Sequence, residues 1–158
     1  IQWTELRGSR NVNLFEELSE TLGKPDYVQS TMEDLSPTAL FLKFLDDMSR
    51  QVCTDRVTND LLRRVPSSRE EEEEIYESLL WGSLDPNVDL STDPEGIEDR
   101  IRALVLRFHG TRLPEGESAS LGYWRWLFQT AHFVDGNSLS SWRALCVALI
   151  NHPDFYSY

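Results

Sequence analysis

Apolar positions recur along this chain at intervals of three and four, and no stretch of useful length alternates as a half-buried strand would. Asn13 and Glu16 form a capping box ahead of Leu14, Phe15, Leu18 and Leu22, a stripe that Gly23-Lys24-Pro25 ends. Tyr27 to Asp34 reads as a connector. Ser36-Pro37 then supplies a cap followed by proline in the first turn, and Leu40, Phe41, Phe44, Leu45, Met48 and Val52 continue at helical spacing. A further turn or short helix is expected from Asp55 to Val65, before Pro66. Ser68 and Glu71 open the next, which carries Ile75, Tyr76, Leu79, Leu80 and Trp81 and closes at Gly82.

Ser83 to Thr92 is rich in Asp, Asn, Ser and Pro and reads as a loop. Asp93-Pro94 restarts a helix through Ile97, Ile101, Leu104, Val105 and Phe108 to Gly110. After a polar turn, Leu121 to Val134 is apolar on more than one face, so it belongs to the core or meets a partner. Asp135-Gly136-Asn137 turns the chain into a last helix with Trp142, Leu145, Cys146, Leu149 and Ile150 in one stripe, stopped at Asn151-His152-Pro153. The expected fold is therefore all-α, a single compact domain over residues 1–158. It would have six or seven helices in an irregular orthogonal bundle, with 83–92 as the one place for a subdivision. Its expected core comprises Leu40, Phe44, Leu45, Met48, Leu104, Phe108, Trp126, Leu127, Trp142, Leu145 and Leu149.

A domain of 158 residues buries roughly 70% of the surface its unfolded chain exposes, so it needs no disulfide framework. The 15 Lys and Arg against 27 Asp and Glu leave a net charge of −12, the wrong sign for neutralising phosphates. Nucleic acid and anionic membrane surfaces are thereby disfavoured as partners. Part of the acidic excess is the Glu70–Glu74 run, placed where carboxylates favour the positive end of a helix dipole. No apolar run is long enough to span a bilayer. The chain opens at Ile1 without Met, as a chain processed on export or simply a trimmed one would.

Cys53 and Cys146 lie 93 positions apart, outside any Cys-x-x-Cys spacing, and are either a disulfide or two buried thiols. Neither has bases beside it in sequence to make it a nucleophile. Asp85, Asn87, Asp89 and Asp93 place oxygen-bearing side chains at alternate positions between two helices, in the manner of a calcium loop. Leu90 stands where such a loop needs glycine, and Gly96 where it needs a bidentate Glu, so caps and Asx-turns account for the same residues. His109, His132 and His152 form no His-x-x-x-His or Cys-x-x-Cys-His pattern, so zinc, iron and covalent haem are not expected. No catalytic residue is nominated, because no nucleophile elbow, Ser-x-x-Lys, carboxylate pair or phosphate loop is present. Tyr123, Trp124 and Arg125, with the tail residues Phe155, Tyr156 and Tyr158, are the residue types that anchor protein interfaces.

From about Ile97 to Phe155 one further pattern emerges. Leu106, Arg107, Gly110, Arg112, Pro114 and Glu117 mark a helix end followed by an acidic turn, and Trp142, Leu145, Cys146, Ala148, Leu149, Asn151 and Phe155 mark a Trp-led helix some thirty residues later. This order resembles the C-terminal helical region of planctomycete-type, cytochrome-associated exported proteins of unknown function. The resemblance implies export and a place in a cell-envelope assembly, with any haem held by another chain. The expected function is thus a non-catalytic, exported interaction protein or accessory subunit, periplasmic or extracellular, that contacts other protein subunits. A calcium-dependent binding module on the 85–95 loop is one alternative, and an envelope hydrolase or redox accessory enzyme is another.

Overall fold

The computed structural model describes residues 4–7, 10–13, 38–63, 77–116 and 118–156. It is predominantly helical, in keeping with the all-α expectation. The two strands among the described residues form an antiparallel ribbon, β1 (Thr4–Arg7) with β2 (Arg10–Asn13), in which Thr4 faces Asn13 and Arg7 faces Arg10. Strands of four residues are too short for period-two alternation to stand out. The helices expected over 13–22 and over most of 68–82 lie outside the described residues.

Helix α1 (Ala39–Arg63) joins into one rod what the sequence suggested were two helices. No glycine or proline interrupts these 25 residues, and the Thr54 and Thr58 hydroxyls bond back to the carbonyls of Arg50 and Thr54 instead of breaking the ladder. Thr38 caps its start, its Oγ1 accepting from the Phe41 amide at 3.1 Å. Leu45, Ser49, Cys53, Val57 and Asp60 follow one another at helical spacing and are the buried face.

The stretch from Ser78 to Gly82 is a tight turn, although the sequence pattern put Leu79, Leu80 and Trp81 on a helix. Ser78 and Gly82 exchange backbone bonds at 3.0 and 3.1 Å, which helical geometry would not allow. Arg100 secures the turn from outside: Nε donates to the Leu80 carbonyl at 2.8 Å, and Nη2 to those of Ser78 and Leu79 at 3.0 and 2.7 Å. Desolvation by this burial pushes the Arg100 guanidinium below its usual value, against the opposing pull of Glu77. Gly82 has φ +62°, and a Cβ there would stand 3.1 Å from the guanidinium, so glycine is required on both counts. Leu80 and Trp81, thus held, are buried.

Three long helices follow, each at its expected place. Helix α2 (Pro94–His109) starts at the Asp93 cap with Pro94 in its first turn and ends at Gly110, which is left-handed at φ 65°. Helix α3 (Ala119–Asp135) is capped by Ser118 and closed by Gly136, and α4 (Ser138–Asn151) is capped by Asn137. The single-turn α5 (Pro153–Tyr156) completes the described chain. Five helices are therefore seen among the described residues, against the six or seven expected. None of them is long and apolar enough to cross a membrane.

The core gathers around α4, which packs on α1, α2, α3 and α5. Trp142, Leu145, Cys146, Leu149 and Ile150 are buried there, and the Trp142 ring meets Phe128 edge-on at 4.8 Å. Cys146 is disulfide-bonded to Cys53 of α1, the Cα atoms 5.8 Å apart. At the far end of α4, Asn151 Nδ2 donates to the buried Ser49 hydroxyl of α1 at 2.8 Å. Two members of the expected core are on the surface instead: Leu40 is 46% exposed and Trp126 60%. Trp124 takes the inward place because it stands three residues after Leu121 and four before Phe128, both fully buried, whereas Trp126 is turned away from that stripe. Phe44, Met48, Phe108 and Leu127 are half-buried.

A polar chain ties α1 to the 78–82 turn. The Asp60 side chain, which has no solvent exposure, accepts from the Ser78 hydroxyl and pairs with Arg56 Nε at 3.0 Å. Ser78 Oγ in turn accepts from the Leu80 amide at 3.0 Å and the Trp81 amide at 3.3 Å. Asp60→Ala leaves these donors buried without their acceptor and should lower unfolding stability by about 3 kcal/mol in a urea titration. Asp60→Asn keeps an acceptor for Ser78 and should lose less; equal midpoints for wild type and Asp60→Ala would contradict the role assigned to this chain.

Candidate functional site

The loop between the 78–82 turn and α2 builds its own scaffold from the residues proposed for calcium. Asp85 Oδ1 accepts from the Asn87 amide at 2.9 Å and from its side chain at 3.0 Å. Asp89 Oδ1 accepts from the Ser91 amide at 2.8 Å, the Ser91 hydroxyl at 2.6 Å and the Thr92 amide at 2.9 Å. Asp93 Oδ1 caps α2 through the Gly96 amide at 2.9 Å. These are Asx-turns and a helix cap, and Asp85, Asp89 and Asp93 do not converge as a set of ligands. The Ser91 hydroxyl, with the Ser91 and Thr92 amides, holds the Asp89 carboxyl down at about 2.

The same loop is fastened to the corner between α3 and α4. Ser138 donates to the Asn87 carbonyl at 3.1 Å and lies 3.3 Å from His132 Nδ1, while His132 Nε2 is 3.9 Å from Asp89 Oδ2. Leu84, Val88 and Leu90 pack against the core beneath. Asp89 is thus a structural hinge-pin, for which its alternation with other acidic residues gave only half the signal.

Where α2, α3 and α5 meet, a cleft of about 320 Å³ opens, lined by His109, His152, Asp154, Thr111, Tyr123 and Trp124 among others. The two imidazoles stack with centroids 4.8 Å apart, and the Trp124 ring stands 5.7 Å from each. His109 Nε2 lies 2.9 Å from the Leu149 carbonyl; an oxygen that can only accept puts the proton on Nε2 and the lone pair on Nδ1. His152 Nδ1 accepts the Asp154 amide at 3.2 Å and stands 3.6 Å from the Asp154 carboxylate. No spacing rule reaches these residues, since His109 and His152 are far apart in sequence and converge only through packing.

A third feature is the outer face of α3. Tyr123, Trp126, Phe133 and Val134 are 50%, 60%, 87% and 74% exposed, and with Thr130 they fall on one stripe of the helix, opposite Leu121, Trp124 and Phe128. Beside it runs a groove of about 620 Å³ between α1 and α3, floored by Ala144, Val147 and Ala148 of α4 and edged by Arg50 and Arg143. Of the interface residues proposed from sequence, Tyr123 belongs to this face. Trp124 is in the core, and Arg125 pairs with Glu98 at 3.2 Å. Phe155 stacks near Phe108 and Tyr156 meets Phe41 edge-on at 5.5 Å, so both pack inward in part; Tyr158 lies outside the described residues. Trp126, Phe133 and Val134 complete a three-and-four spacing with Tyr123; of these Trp126 was expected in the core.

Comparison of the chain with known protein families, with curated proteins and with solved structures finds no match.

The depressed Asp89 carboxyl makes the loop sensitive to acid. Its ionised form is stabilised on folding, so its contribution is complete above the ordinary carboxyl value near 4 and fades as pH falls through about 2. Asp89→Asn should be less stable than wild type at neutral pH, with the gap in melting temperature closing between about pH 4 and pH 2. A gap that is constant over that range would show that the charge of Asp89 does not matter to the loop.

Proposed function

We propose that this chain is a disulfide-stapled interaction module, an accessory subunit of a larger extracytoplasmic assembly, that docks a partner protein through the outer stripe of α3. The observation that carries this reading is the exposure of Tyr123, Trp126, Phe133 and Val134 on a single helical face. Large aromatic side chains are costly to leave in water one beside another, and a contiguous patch of them is the usual mark of a surface that is covered in the assembled state. Tyr123 and Trp126 already lie 6.3 Å apart, ordering part of the surface before any partner arrives.

Charge narrows the partner. The groove beside the stripe is edged by Arg50 and Arg143, so the partner should bring carboxylates around its apolar centre. The Cys53–Cys146 pair agrees with an oxidising compartment, periplasmic or extracellular. That placement is also what the resemblance to exported, cytochrome-associated proteins implies. The loop of Asp85, Asn87, Asp89 and Asp93 offers calcium less, because its acceptors already serve backbone amides and hydroxyls.

Purification of the native protein under mild conditions should bring a stoichiometric partner, and Trp126→Ala with Phe133→Ala should release it. Loss of one such anchor weakens an interface by roughly 2 kcal/mol, about thirtyfold in affinity, while a fully exposed side chain contributes little to folding. Retention of the partner by the double variant, or a native protein that is solitary, would overturn the proposal.

A further inference from the structure

We propose that His109, His152 and Asp154 form a binding site for a divalent transition-metal ion, with Zn2+ the ion their chemistry suits best. One nitrogen from each imidazole and one oxygen of Asp154 lie within 4.8 Å of one another, the one such gathering of three metal-binding groups among the described residues. Zinc bonds of about 2.0–2.1 Å in a tetrahedral shell set ligand atoms roughly 3.3 Å apart. The His152 Nδ1 to Asp154 Oδ2 separation of 3.6 Å is already close to that edge. Bringing in the second imidazole needs side-chain rotation by the half-buried His152 and the exposed Asp154, neither of which is locked in the core.

The protonation pattern agrees with ligation. The bond from His109 Nε2 to the Leu149 carbonyl is the arrangement by which a backbone oxygen orients a metal-binding histidine and leaves its other nitrogen unprotonated. His152 Nδ1 accepts the Asp154 amide, a bond that must open before this nitrogen can ligate. Two neutral imidazoles and one carboxylate match zinc and its neighbours; calcium and magnesium require oxygen shells. Trp124 walls one side of the cleft and limits water there, while the solvent side leaves a fourth coordination position for water.

The metal would add a bond between α2 and α5, which already meet through Phe108 and Phe155. His109 is in the last turn of α2, whereas His152 and Asp154 flank the start of α5, a single turn with no buried residue. Binding would tie that turn, with Phe155 and Tyr156, to α2.

The test is a titration of the chelator-treated full chain with Zn2+ alone, by calorimetry and thermal melting. One saturable site per chain is expected, with a rise in melting temperature. His152→Gln and Asp154→Asn should each weaken binding by roughly tenfold or more and abolish the zinc-induced rise, with the metal-free melting temperature kept. His132→Gln should bind as wild type. The absence of saturable binding, several weak sites per chain, or undiminished binding by both site variants would each overturn the proposal.

Discussion

The structure depends on the burial of α4 on nearly all sides. A fourteen-residue helix that hides Trp142, Leu145, Cys146, Leu149 and Ile150 has no solvent face wide enough to stand alone, so α1, α2, α3 and α5 must cover it. The interactions that fix their positions all converge on it. Cys146 reaches Cys53, Asn151 reaches Ser49, Leu149 offers its carbonyl to His109, and Ser138 reaches the carbonyl of Asn87. One helix therefore sets where α1 lies, where the acidic loop docks and where the histidine pair forms.

Function follows from what this arrangement leaves uncovered. Helices α1 and α3 both rest on α4 and pack on each other far less, which opens the groove between them and turns the outer stripe of α3 to solvent. The inward stripe of the same helix contributes Leu121, Trp124 and Phe128 to the core. Since α3 is apolar on both sides, folding satisfies only one of them. The proposed docking face is the remainder.

The boundaries of α2 and α4 were legible in the sequence because each is marked by chemistry at its ends: Asp93-Pro94 and Gly110, Asn137 and Pro153. Helix α1 was misread as two because Asp55, a residue that often starts helices, sits within an unbroken run and there serves to accept from Gln51. The 78–82 turn was misread because helical spacing of Leu79, Leu80 and Trp81 is indistinguishable from a buried turn until Arg100, twenty residues later, supplies donors to its carbonyls. Trp124 and Trp126 are two residues apart in a helix with large apolar residues on two faces, and the spacing of Trp124 from Leu121 and Phe128 sets it inward. The histidine cleft was out of reach because its parts come from two helix ends brought together by α4.

The Cys53–Cys146 bond holds α1 and α4 as one unit. The most direct test is urea unfolding of the protein with the disulfide intact and after reduction, alongside the intact mass in each state. The native form should be two hydrogens lighter than the reduced one, and reduction should cost about 4–5 kcal/mol, as closing a loop of 93 residues implies. Two free thiols in the native protein, or an unfolding midpoint that reduction leaves in place, would contradict it.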